Sequence, residues 1–334
     1  MSRRLLVVIL LSLLLCRLAP AGETKLWPNI NPHQTNFLKV SQIHKIYYEV
    51  CGSRTGKPVF VLHGGPGGSS SPYMRRFFNP NKFMIVLHDQ RGAGRSMPLA
   101  EIKENNTQNL VEDIERLRVH LNVNKIILFG GSWGSTLALA YGQTYPDHVA
   151  GMILRGVFTA TQVEIDHFYH GGIATFFPEV YERFIHGLPD PNRRPIPEYL
   201  FSLIEDSSPQ QRQKYCRLWA AYEMKTCGLD IPDQRVDDIL KTMDPYAFAR
   251  LENYYMANHC FLEEGQLLKN AAKLGHIPIV MVNGRYDAIC PPVNAFRLKQ
   301  KLPQAKLVVA EAAGHWMGEE PIERELLRAV RQFE

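Results

Sequence analysis

The residues with the clearest chemistry are a serine and the glycines around it. Gly130-Gly131-Ser132-Trp133-Gly134 fits the pattern G-x-S-x-G. The pattern alone is common, but its flanks here are specific. The apolar run Ile126-Ile127-Leu128-Phe129 leads into it, and an apolar stretch from about Trp133 to Tyr145 leaves it. That is a strand, a sharp turn and a helix, which together expose a serine hydroxyl as a nucleophile. Glycine is needed at 130 and 134 because strand and helix approach closely there. The helix start after the serine offers free N–H groups to an anion.

A serine hydroxyl is a weak nucleophile until a base takes its proton. The chain has twelve histidines, so placement must select one. The apolar strand Ile279-Val280-Met281-Val282 ends in Asn283-Gly284-Arg285-Tyr286-Asp287. The next strand, Lys306 to Ala310, ends in Glu311-Ala312-Ala313-Gly314-His315. Loops past the carboxyl ends of parallel strands are where such sheets form their sites. His63, His88, His148 and His276 lack this placement. Asp233, Asp237 and Asp244 have no strand before them. Ser132, His315 and Asp287 are therefore the expected nucleophile, base and orienting acid. His63-Gly64-Gly65-Pro66-Gly67-Gly68 follows the short strand Val59 to Leu62. A glycine loop there can aim backbone N–H groups at an oxyanion. The expected donors are the N–H groups of Gly65 and Trp133, since Pro66 has none.

The elements that must hold these residues read as follows. Phe37–Val40 and Lys45–Val50 alternate and predict a β-hairpin. Pro58–Leu62, Phe83–Leu87, Lys125–Phe129 and Val149–Leu154 predict strands. Thr107–Leu121 carries Leu110, Ile114, Leu117 and Leu121 at helical spacing. From about Phe158 to Lys273 the chain reads as helices, rich in aromatics and broken by prolines. Strand–helix alternation resumes at Ile277–Val282, with a helix at Pro292–Lys301, a strand at Lys306–Ala310 and a helix from about Pro321 to Phe333. Alternation of this kind predicts an α/β chain whose mostly parallel sheet has helices on both faces. With the order Ser, Asp, His, it points to the α/β-hydrolase fold with an inserted helical cap. The expected division is 1–21 leader, 22–157 and 274–334 core, 158–273 cap.

The leader reads as a secretory signal peptide. Arg3 and Arg4 precede the apolar run Leu5–Leu15, and Ala19-Pro20-Ala21 gives a small-x-small cleavage pattern. The run is shorter than the roughly 20 residues of a bilayer span. A retained anchor is the alternative; with cleavage, no stable membrane partner is expected. Export, periplasmic or secreted, is the expected location. Removing residues 1–21, with three arginines and no acid, lowers the net charge from +5 to +2. A near-neutral chain gives no support to nucleic-acid binding. Five cysteines then remain; an odd number leaves a free thiol, and Cys216 and Cys227 are a candidate pair. Neither CxxC nor HExxH occurs, so no metal or other cofactor is expected. Asn105-Asn106-Thr107 forms a glycosylation sequon. Oligomeric state is not legible.

HGGPGG at His63–Gly68, DQRGAGRS at Asp89–Ser96, LVEDIERLR at Leu110–Arg118, GGSWGSTLALAY at Gly130–Tyr141, GRYDAICP at Gly284–Pro291 and AGHW at Ala313–Trp316 closely resemble the proline iminopeptidases. The resemblance implies an α/β-hydrolase serine peptidase acting on peptides with a free N-terminal proline. It further implies two cap glutamates that hold the substrate's charged nitrogen. Leu218-Trp219-Ala220-Ala221-Tyr222-Glu223 matches the family's W-x-x-W-E, with Tyr222 for the second Trp. Ala249-Arg250-Leu251-Glu252-Asn253 matches A-R-I-E-N. Glu223 and Glu252 are thus the implied amine binders, and Phe158 and Cys290, with Phe168 behind them, the implied pocket wall. Asp89 and Arg91 are read as bracing their loop. The alternative activity is an esterase or broader amidase using the same triad, which needs no paired acids in the cap. A non-catalytic protein would be expected to lack part of the triad or its glycines.

Overall fold

The computed structural model describes residues 25–334; the leader lies outside them. Eight strands form one sheet: β1 (Gln34–Lys39), β2 (Lys45–Gly52), β3 (Lys57–Leu62), β4 (Phe83–His88), β5 (Ile126–Gly131), β6 (Val149–Arg155), β7 (Ile279–Gly284) and β8 (Lys306–Ala310). Their order is β1-β2-β4-β3-β5-β6-β7-β8. β1, β2 and β4 pair antiparallel; all pairs from β4 to β8 are parallel. The helices are α1 (Pro72–Arg75), α2 (Thr107–His120), α3 (Trp133–Thr144), α4 (Gln162–Tyr169), α5 (Pro178–His186), α6 (Ile196–Asp206), α7 (Pro209–Thr226), α8 (Asp233–Leu240), α9 (Pro245–Ala257), α10 (Gln266–Lys269), α11 (Pro292–Lys301) and α12 (Glu320–Arg331). All regular helices from α4 to α10 fall between β6 and β7.

Strand side chains alternate between two cores, as a period of two requires. Phe60, Leu62, Leu128, Met152, Leu154 and Met281 face α2, α3 and α11. Val59, Val61, Ile127, Phe129, Ile153 and Val280 face α12, which contributes Ile322, Leu326, Leu327 and Val330. The first core continues into the helical insertion through Ile165, Phe168, Trp219 and Phe248. Sheet and insertion therefore share apolar packing instead of meeting at a wet interface.

Two expectations need correction. Cys216 and Cys227 are free. They lie on and at the end of α7, eleven residues apart. At a rise of 1.5 Å per residue that is about 16 Å, beyond the ~7 Å limit for Cα atoms of a disulfide. The sequon at Asn105 is also closed to a glycan. Asn105 is 2% exposed; its amide donates to Arg91 O at 3.0 Å and Glu101 O at 2.8 Å, and it accepts from the Tyr255 hydroxyl at 2.7 Å.

The DQRGAGRS segment is braced by ion pairs, as expected of Asp89 and Arg91. Asp89 accepts from Ser70 N and Oγ and from Arg95 N and Nε. Arg91 forks onto Asp113 of α2 at 2.6 and 2.7 Å, with both side chains buried. Removing one partner of a buried ion pair strands the other. Asp113→Ala is expected to destabilise the fold by roughly 3–5 kcal/mol, read by urea unfolding. A loss under about 1 kcal/mol would mean the pair behaves like a surface one.

Candidate active site

The serine elbow is built by close backbone approach. Ser132 sits at φ 57°, ψ −126°, a conformation that costs a non-glycine residue roughly 1–3 kcal/mol. A Cβ on Gly130 would lie 2.2 Å from Gly134 O, and one on Gly134 would lie 2.2 Å from Leu62 O. Both glycines are thus required by contact. The strain is held by hydrogen bonds on both sides. Ser132 N donates to Arg155 O at 2.8 Å. Ser132 O accepts from Ser135 N at 2.8 Å and Ser135 Oγ at 2.6 Å.

Asp287 and His315 stand in the loops after β7 and β8. His315 Nδ1 lies 2.8 Å from Asp287 Oδ2, and both side chains are buried. The carboxylate accepts, so Nδ1 carries the proton and Nε2 keeps its lone pair. Asp287 Oδ1 accepts from Ile289 N at 3.1 Å and Cys290 N at 2.8 Å. The base of this pair is the end of β6: the His315 ring stands over Gly156, where a Cβ would come within 2.7 Å of Cε1. Arg155, the residue before, accepts the Ser132 N–H and donates from Nη1 to His315 O at 2.6 Å. One strand end therefore supports both the serine elbow and the histidine loop.

One cavity collects Ser132, Gly65, Phe158, Cys290, Glu223 and Glu252, six residues from six segments of the sequence. Phe168 joins the same wall, as do Glu164, Ile165, Met256 and Ile289. Trp133 does not line it with its side chain. The indole is fully buried and donates to Gln90 Oε1 at 2.9 Å, leaving only the main chain at the elbow.

Glu223 of α7 and Glu252 of α9 line the same cavity, and both are buried. Two carboxyl groups in one buried site resist ionising together. Burial raises the pKa of both, and for Glu252 the neighbouring Glu223 raises it further. Glu252 Oε2 accepts from Trp219 Nε1 at 2.7 Å. Glu223 Oε2 is buried without a partner among the described residues. Trp219 stacks on Tyr169 at 4.6 Å and meets Phe168 and Phe184 edge-on. Tyr222 uses the hydroxyl that a tryptophan would lack: it donates to Phe168 O at 2.8 Å. Glu164 is different in kind. Its carboxylate is filled by Thr159 and Thr161, through N and Oγ1 of each. The Thr161-x-x-Glu164 spacing is a capping box, a signal that the sequence reading passed over.

The insertion also holds the histidine loop. His315 N donates to Cys227 O at 2.8 Å. Glu319 accepts from Gly314 N at 2.6 Å and from Leu229 N at 3.0 Å.

Comparison with known proteins identifies the fold and the family. Residues 57–321 match the family model of the alpha/beta hydrolase fold. A probable proline iminopeptidase of Leptolyngbya boryana is 42% identical over 92% of this chain and 97% of its own length. The chain belongs to the proline iminopeptidase family. A proline iminopeptidase of Xylella fastidiosa strain Temecula1 is 43% identical over 87% of this chain and 93% of its own. Among solved structures, an esterase from Exiguobacterium antarcticum superposes with a TM-score of 0.63 at 20% identity, covering 90% of this chain and 99% of that one. At that identity the likeness concerns the fold alone.

Burial lowers the pKa of His315 below its usual value of 6.5, against the opposing pull of Asp287; Arg155 adds to the lowering. A base works when neutral, and its neutral fraction grows as pH rises. An uncharged aryl ester has no amine of its own to titrate. Its kcat/KM is expected to rise with pH through an apparent pKa below 6.5. An acid limb centred above that value in a pH–rate profile would contradict this electrostatic reading of His315.

Proposed function

We propose that the chain is a serine exopeptidase that releases proline from the free N-terminus of peptides. The observation that carries this reading is the buried pair Glu223 and Glu252 in the same cavity as Ser132. Ser132 Oγ attacks the prolyl carbonyl while His315 Nε2 takes its proton. The N–H groups of Gly65 and Trp133 receive the oxyanion. The carbon–nitrogen bond breaks, and His315 returns the proton to the leaving amine. Water then attacks the prolyl ester, with His315 again as base, and proline leaves. Asp287 holds the imidazole in the needed tautomer throughout.

The acid pair selects the substrate. An N-terminal proline carries a secondary ammonium with two N–H donors. Burying that charge unpaired costs several kcal/mol. Two facing carboxylates accept both donors and balance the charge, and the unpartnered Glu223 Oε2 is an open acceptor for it. A blocked nitrogen leaves the acids unpaired and is rejected. Phe158, Phe168 and Cys290 give the proline ring its apolar wall. Residues 158–273 act as the cap that closes the N-terminal side.

Ser132→Ala is expected to reduce turnover by several orders of magnitude. Glu223→Gln and Glu252→Gln are each expected to lower kcat/KM for a free prolyl substrate by an amount equivalent to roughly 2–5 kcal/mol. Hydrolysis of an uncharged ester should fall far less. A wild-type ratio of free to N-acetylated prolyl substrate near one would favour the esterase alternative. So would mutants that leave a large ratio unchanged.

The leader lies outside the described residues. We propose, from its basic, apolar and small-residue parts, that it directs export and is removed. N-terminal sequencing of exported protein is expected to begin at or near Gly22; an intact Met1 on the exported chain opposes cleavage.

A further inference from the structure

Gln90, inside the DQRGAGRS run, is 3% exposed and lies two residues past the end of β4. Its backbone N–H donates to His63 Nε2 at 3.0 Å, and its side-chain Nε2 donates to His63 O at 3.0 Å. Its Oε1 accepts from Trp133 Nε1 at 2.9 Å. Every polar group of the side chain therefore points at one of two segments. One is the glycine loop that begins at His63. The other is the first residue of α3.

The attachment at each end is fixed. His63 Nε2 accepts from Gln90, so Nδ1 carries the proton and donates to Gly64 O at 2.9 Å. Gly64 O also accepts from Gly68 N at 3.2 Å, closing the loop on itself. Burial holds the His63 pKa low, which keeps this neutral tautomer. At the other end the Trp133 indole packs edge-on against Tyr255 with ring centres 5.0 Å apart. The carboxamide thus spans two anchored groups. It must donate to a carbonyl at one end and accept from an indole at the other. Ionised glutamate lacks the donor, methionine lacks both groups, and asparagine is a methylene short.

We propose that Gln90 is a positioning residue that sets the spacing of the Gly65 and Trp133 N–H groups, and so the geometry of the oxyanion hole. The inference rests on the assignment of those two donors above. A strut of this kind matters only when charge develops on the carbonyl oxygen. It should not affect binding of the ground-state substrate or of product.

The test is Gln90→Met in the full-length enzyme. kcat is expected to fall about 10- to 100-fold on both a prolyl amide and an uncharged ester, with KM within about threefold; outright loss of one oxyanion donor costs about 10²–10³. Affinity for a prolyl boronic acid, which forms a tetrahedral adduct on a serine, should fall by a similar factor. Inhibition by free proline should not change. Trp133→Phe removes the same link from its other end and should give the same signature. In a double-mutant cycle the two effects should be strongly non-additive. If Gln90→Met does not fold, the Trp133→Phe pattern alone decides. The proposal is overturned if kcat stays within about twofold, if boronate and proline affinities fall together, or if the two mutations are additive. Ser132→Ala separates the premises: an inactive Ser132→Ala with an unaffected Gln90→Met removes the strut and leaves the enzyme reading standing.

Discussion

A serine side chain in a backbone conformation that serine avoids is the constraint around which the molecule is arranged. Ser132 stays at positive φ because β3, β5 and the start of α3 approach within the space that two missing Cβ atoms leave. That approach requires the strands to be apolar on both faces, so that both cores can press on the sheet. It also brings Leu62, and hence the glycine loop beyond it, directly against the elbow. The active-site edge is therefore a product of dense packing more than of the loops that decorate it. The mainly hydrogen-bonded supports, Arg155 and Ser135, then hold a geometry that sterics have already narrowed.

The insertion solves a different problem. It places two carboxylates in an apolar, aromatic enclosure, where neither would ionise independently. Trp219 gives one of them a donor, and burial pushes the pKa of both upward. In the proposed mechanism sheet and insertion divide the labour: bond cleavage belongs to loops of the sheet, and selection by charge to helices packed over them.

Much of this was legible in the sequence because the relevant signals are local. β8 and α11 fall on the residues expected, and the loops bearing Asp287 and His315 follow from strand ends. β1 begins at Gln34, three residues before its predicted start, because an exposed edge strand carries little apolar alternation. Glu223 and Glu252 were implied by resemblance and not by spacing. They are on separate helices, and only the packing of α7 against α9 brings them together. The cysteine pair failed because sequence separation on a helix is distance along its axis. Asn105 shows the converse: a surface-type motif whose amide is consumed by the fold. Gln90 sat within a quoted motif, yet its bonds reach 27 residues back and 43 forward, beyond any local pattern.

The hydrogen bond from His315 N to Cys227 O crosses from the sheet loops to the insertion, and Glu319 adds a second crossing beside it. Cys227 is one turn beyond Glu223 on the same helix. The proposed general base and one proposed amine-binding acid are consequently registered against a common ruler. Exchanging the insertion for that of another hydrolase would disturb these contacts along with the proposed amine-binding acid. In evolutionary terms the two parts are not independent modules.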